Sequence, residues 1–265
     1  MGINRENFPL KVIVAITYVI MVAMNALANI LPINGVNTGQ VSDFYENLFA
    51  PAGITFAIWG VIYLLLLFYV IYQFGFFQNG SDPYREQMLR TVGIYFSLSS
   101  ILNTMWILAW HYDYIGISLI LIVGVLLTLI FINQHTKRSD LFFKDKFFVR
   151  LPFSIYFGWI TVATIANVTA FLVSIGWKGF GISDEVWTVA VLIVGLLIAV
   201  TTIIRNRDFF YGLVIIWAYA GIYIKHTSVF NSQYSLVIYT LMGSGIVLAL
   251  VELYVLFSKN PELDY

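Results

Sequence analysis

Eight stretches of about twenty mostly apolar residues recur along this chain, at roughly 10–32, 53–76, 90–111, 114–133, 151–175, 186–204, 209–227 and 234–257. A helix needs about 20 such residues to cross the hydrocarbon core of a bilayer. Inside that core the backbone must satisfy its own hydrogen bonds, so each stretch reads as a helix. The fold class that follows is all-α: a polytopic integral membrane helix bundle with eight transmembrane helices. Composition agrees, since 60% of the 265 residues are hydrophobic and 11% charged, where a soluble domain carries about 25% charge. Cysteine is absent, which excludes disulfides, thiolate metal ligands and cysteine nucleophiles. The formal net charge is zero and no long basic block occurs, which argues against a nucleic-acid partner. The start, MGINRENFPLK, puts a basic residue before an apolar run without a clean small-residue cleavage site. Residues 10–31 therefore read as a retained first span, not a signal peptide.

The charges orient the spans. With the N-terminus and alternate loops on one side, that side collects Arg5, Lys11, Arg85, Arg90, Lys137, Arg138, Lys144, Lys146, Arg150, Arg205, Arg207 and Lys259. The other side holds Lys178 and Lys225. A split of 12 against 2 follows the positive-inside rule and predicts both termini cytoplasmic; the membrane is expected to be a prokaryotic plasma membrane, with an organelle membrane left open. Residues 134–150 read as a cytoplasmic loop with an interfacial segment whose Lys and Arg could meet lipid head groups. The loop 33–52 has no Lys or Arg and carries Asn34-Gly35, Asp43 and Glu46. It reads as a polar external loop able to fold back over the helix ends.

Polar side chains inside a span face protein or a cavity. Asn25 and Asn29 are four apart on the first span, so they share a face. Asn103, Trp106 and Trp110 follow one face of the third span. Trp159 and Asn167 lie eight apart on the fifth, and Trp59 and Tyr63 lie four apart on the second. Each asparagine alone can simply bridge two helices. Several such faces lined with aromatics point to a shared polar and aromatic cavity. Indole and phenol rings offer flat apolar area with one hydrogen-bond handle, and Asn offers both donors and acceptors. That chemistry suits a flat, mostly apolar ligand with a few polar edges. It does not suit hydrolysis, because the spans hold no paired carboxylates and no Ser-His-Asp set. His111, His135 and His226 stand near helix ends and suggest no metal site.

Glu252 is the acid placed inside a span, near the middle of the eighth, with Gly243-Ser244-Gly245 close by. A buried carboxylate has to be paired, hydrogen-bonded or protonated. The expectation is an interhelical hydrogen bond to a Tyr or Ser, with proton coupling as the functional alternative. Lys225 lies at a span end, which does not suit a Schiff base.

Three runs carry a family resemblance: Trp59-Gly60-Val61-Ile62-Tyr63, Leu102-Asn103-Thr104-Met105-Trp106, and Leu151-Pro152 followed by Trp159-Ile160-Thr161-Val162-Ala163-Thr164-Ile165-Ala166-Asn167. In order and in helix position they resemble the translocator-protein family of tryptophan-rich sensory proteins (TspO/MBR), which have five transmembrane helices. The resemblance covers about residues 10–177. Gly53 stands where the family has a tryptophan after the loop proline, and Ala57 where it has a proline. The spacing from Pro152 to Trp159 is three residues longer than the family pattern, and the cholesterol-recognition segment of animal members is not evident. The resemblance implies a five-helix core, residues 1–177, that binds porphyrins and other lipophilic aromatic ligands beneath the first loop, followed by a three-helix segment, 178–265. It implies pocket roles for Trp59 and Trp106, and polar pocket or helix-bridging roles for Asn103 and Asn167.

The leading expectation is a non-enzymatic, sensor-like or ligand-handling membrane protein for a tetrapyrrole or similar ligand, with no required cofactor. Its candidate ligand-binding residues are Trp59, Tyr63, Asn103, Trp106, Trp110, Trp159, Asn167, Asn25 and Asn29, with Glu252 as candidate coupling residue. The alternatives are a transporter of a hydrophobic or amphipathic metabolite, and an enzyme acting on a lipophilic substrate such as a porphyrin. The expected surroundings are the lipid bilayer and a lipophilic small molecule, with the chain as monomer or homodimer.

Overall fold

A computed structural model of the chain describes residues 7–78, 80, 82–137 and 141–258. Arg5, Arg138 and Lys259, which enter the charge pattern above, lie outside the described residues. Among the described residues there is no strand, and eight helices are long and apolar enough to cross a membrane. Large apolar side chains such as Val19, Ile120, Leu197 and Leu250 stand exposed along them. Contiguous exposed apolar faces of this extent belong to a protein whose solvent is lipid. The chain is an all-helical integral membrane protein.

It divides into two compact units, one of residues 1–47 and 56–177, the other of 48–55 and 178–265. The N-terminal unit contains α1 (Phe8–Ile30), α2 (Thr38–Phe44), α3 (Ile58–Gln73), α4 (Pro83–His111), α5 (Ile115–Lys137), α6 (Phe143–Asp145) and α7 (Leu151–Ser174). Its five long helices close a ring: α1 packs on α4, α4 on α5, α5 on α7, α7 on α3, and α3 back on α1.

Local chemistry sets the ends. Pro32 halts α1, since proline has no N–H and disfavours a helical residue before it. A capping box starts α2: Gln40 N–H donates to Asn37 Oδ1 (2.9 Å) and Asn37 N–H to Gln40 Oε1 (2.8 Å). Asp82 caps α4 by accepting from Tyr84 N–H (3.0 Å), with Pro83 in the first turn. That cap starts α4 two turns before the apolar run at residue 90. Arg85 thereby becomes a buried residue of the helix. Its Nε lies 3.1 Å from Asp145 Oδ1, and Tyr72 donates its hydroxyl to the same oxygen (2.7 Å). In the stretch 134–150, expected as a loop with an interfacial segment, the described residues are mostly helical. α5 continues to Lys137, and α6 runs through a π-turn at Lys146–Arg150 into α7.

The C-terminal unit contains α8 (Asp184–Asn206), α9 (Phe209–Ser228) and α10 (Ser235–Phe257), with α10 packed on both others. Ser183 caps α8, and Asp184 and Glu185 occupy its first turn, where the helix dipole favours negative charge. Arg207, left-handed at φ 48°, ends α8, and Asp208 at once caps α9 through Tyr211 N–H (3.2 Å). Tyr219 donates its hydroxyl to Leu192 O (2.7 Å), tying α9 to α8. The segment 48–55 is fastened along α9. Ala52 N–H donates to Gly221 O (3.0 Å), Trp217 Nε1 to Thr55 O (3.0 Å), and His226 Nε2 lies 2.9 Å from Leu48 O. Gly221 makes this approach feasible, because a Cβ there would overlap the Thr55 side chain.

Candidate functional site

The densest aromatic cluster of the N-terminal unit centres on Trp59, in the first turn of α3. Its ring stacks on Tyr63 (5.5 Å between centroids) and meets Trp106 of α4 (6.1 Å), Tyr156 of α7 (6.1 Å) and Trp159 of α7 (6.2 Å). Phe56, just ahead of α3, meets Trp159 edge-on at 5.8 Å. Edge and offset ring pairs of this kind add to simple burial. Two polar atoms in the cluster are buried without a hydrogen-bond partner: the Tyr63 hydroxyl and Trp159 Nε1. Such unmet groups are rare in folded proteins and call for an explanation.

The asparagines form two bridges beside the rings. Asn25 of α1 donates to Asn103 Oδ1 (2.8 Å), and Asn103 donates to the Tyr156 hydroxyl (3.1 Å). Asn103 is fully buried and joins α1, α4 and α7. Trp106 Nε1 donates to Asn167 Oδ1 (3.0 Å), and Asn167 Nδ2 donates to Ser118 Oγ of α5 (3.0 Å). The ring of helices is thus cross-linked at two levels by amides. Asn29 does not join them. It is exposed, and its amide donates to Asn25 O (2.8 Å) of its own helix. Four residues advance a helix by about 400°, so Asn29 is rotated roughly 40° past Asn25, enough to leave the buried stripe near the helix end.

Trp110 stacks on Trp106 (6.1 Å between centroids), which extends the cluster, but its polar atom is engaged by the first loop. Its Nε1 donates to Thr38 O (3.2 Å), and its ring meets Tyr45 at 6.3 Å. Next to it His111, buried, lies 3.2 Å from Thr38 Oγ1 through Nε2 and 3.2 Å from Ile33 O through Nδ1. Asn34 Nδ2 returns a bond to His111 O (3.1 Å). Tyr45 donates to Asp113, and burial together with that carboxylate holds its phenol above the ordinary range. The first loop, through Asn47, is therefore folded back and fastened on the end of α4. Its last residues, from Leu48, belong to the C-terminal unit instead.

Among the described residues no three metal-ligating side chains gather. Glu252 is buried, but both carboxylate oxygens lack a hydrogen-bond partner, against the expected bond to a Tyr or Ser. It lies in the last two turns of α10, not mid-helix.

Tyr156, Phe56 and Ser118 are absent from the sequence reading. Tyr156 lies three residues before Trp159 and Phe56 three before Trp59, so helix-face spacing alone could have found both. Ser118 carries no such signal, since only the packing of α5 on α7 brings it to Asn167.

A family model described as TSPO-like protein matches residues 11–254. The chain belongs to the TSPO-like family. The match extends past the motif-bearing stretch through α8, α9 and most of α10, so it takes in the whole or the greater part of each of the eight spans. No curated protein and no solved structure matches the chain.

Proposed function

We propose that the N-terminal unit reversibly binds a flat, lipophilic aromatic ligand, a tetrapyrrole such as a porphyrin or haem or a molecule of like shape, in a sensor-like or ligand-handling role. The observation that carries this reading is the pair of unmet donors, Tyr63 O–H and Trp159 Nε1–H, within the rings around Trp59. The faces of Trp59 and Tyr63 supply stacking area. The two donors suit polar groups at a ligand's edge. Tyr63, half-buried, is the side from which a ligand enters. The first loop, bound to the end of α4, covers the site. Asn103 and Asn167, with their amides engaged by neighbours, hold the helices that carry the rings. In this reading the ligand is exchanged and no resident cofactor is required.

The protein functions in a lipid bilayer, in a prokaryotic plasma membrane with both termini cytoplasmic, as a monomer or homodimer. The orientation rests on the charge split of the loops. Equilibrium titration of the purified protein with protoporphyrin IX and with haem tests the reading. Saturable binding that Trp59→Ala weakens by about tenfold or more supports it. Absence of saturable binding, or binding indifferent to Trp59, removes it.

A further inference from the structure

The C-terminal unit holds an acid that the reading above does not use. Glu252 of α10 is 4% exposed, and neither of its oxygens has a hydrogen-bond partner. Its carboxyl lies on the backbone of α9 at Gly212, where a Cβ would overlap Oε1. The charge that acts on it comes from another carboxylate, Asp208, buried at the start of α9. On the α9 side stand Asp208, its N-cap, and Tyr211, next in sequence to Gly212. α8 brings Arg205 and Arg207 to its end, and Arg207 Nη2 donates to Ser258 Oγ (2.6 Å). Tyr239 and Tyr254 of α10 are exposed. Among the described residues no cationic side chain hydrogen-bonds to Glu252.

An ionised carboxylate buried without a counter-charge, beside a second carboxylate, is strongly disfavoured. Two ways out exist, a proton or a bound metal cation. A hard cation takes about six oxygens. Here α9 and α10 pass the site as regular helices with their carbonyls engaged internally, and no third ligating side chain is present among the described residues. We propose that Glu252, packed on α9 at Gly212 with Asp208 one turn before that glycine, is a proton-binding site of the C-terminal unit. The inference is independent of the ligand assigned to the N-terminal unit.

Infrared spectroscopy of the full-length protein in lipid nanodiscs over a pH series tests it. The expected result is a protonated-carboxyl stretch at pH 7 that is lost in Glu252→Gln. Asp208→Asn removes the neighbouring charge yet keeps a good helix cap. It should weaken proton binding by about tenfold, the effect of losing one close like charge. The second variant keeps the test decisive if Glu252→Gln fails to fold. Absence of the band from the wild type, its survival in Glu252→Gln, or an unmoved midpoint in Asp208→Asn overturns the proposal. So does a band that sodium removes and choline does not, which would assign the site to a metal cation.

Discussion

Trp59 and Asn103 divide the labour of the candidate site, and substitutions should separate them. Trp59 makes ring contacts on both α4 and α7, whereas Asn103 spends its amide on Asn25 and Tyr156. Trp59→Phe keeps a ring in the core, so it should lower ligand affinity several-fold with little change in melting temperature in detergent. Asn103→Ala leaves Asn25 and the Tyr156 hydroxyl short of a partner. It should destabilise the fold by about 1–2 kcal/mol, in the range of interhelical hydrogen bonds in membranes. A melting curve unchanged in Asn103→Ala would show that the bridge does not hold the ring. The faces that gather at the site were legible in the sequence, because Asn103 and Trp106, three apart, and Trp159 and Asn167, eight apart, fall on one side of their helices, while Asn29, four from Asn25 yet exposed, did not follow the rule. What spacing could not show is which partner each amide meets. Trp110 shows the limit: it lies on the same face as Trp106, yet its indole serves the loop at Thr38.

At the scale of elements, caps and breakers decided what hydropathy did not. The apolar run of α4 begins near residue 90, but Asp82 and Pro83 start the helix earlier and draw Arg85 inward to Asp145. Hydropathy treats Arg85 and Arg90 alike. The structure does not, since Arg85 is buried and Arg90 exposed. Arg85→Ala should cost about 3 kcal/mol by stranding a buried carboxylate, and Arg90→Ala no more than about 0.5 kcal/mol. Chemical denaturation of the two variants side by side checks this, and equal costs would refute it. Glycine sets the approach of segment 48–55 to α9. Gly221→Ala should destabilise by about 1–3 kcal/mol through overlap with Thr55. Gly243→Ala, with open space around it, should be neutral or gain about 0.5–1 kcal/mol in helix propensity. A tolerated Gly221→Ala would mean the segment is not held there.

At the scale of the whole molecule, the eight spans were legible because each is set by one physical requirement, about 20 apolar residues across the hydrocarbon. The assignment of residues 48–55 to the C-terminal unit was not legible, because Leu48, Ala52 and Thr55 reach α9 through backbone groups that leave no pattern in side chains. The charge bias makes a topological prediction. The chain has no cysteine, so single cysteines placed at Lys144 and at Lys178 report cleanly. In intact cells a membrane-impermeant maleimide should label the second and not the first, and the reverse pattern would invert the proposed orientation. The central claim, that the rings around Trp59 take a flat lipophilic ligand, is tested most directly by tryptophan-fluorescence quenching during titration with protoporphyrin IX, comparing Trp59→Phe with Trp217→Phe of the C-terminal unit. The expected result is saturable micromolar quenching that is weakened by the change at Trp59 and preserved by the change at Trp217. Quenching that never saturates, or that both variants leave alike, would contradict it.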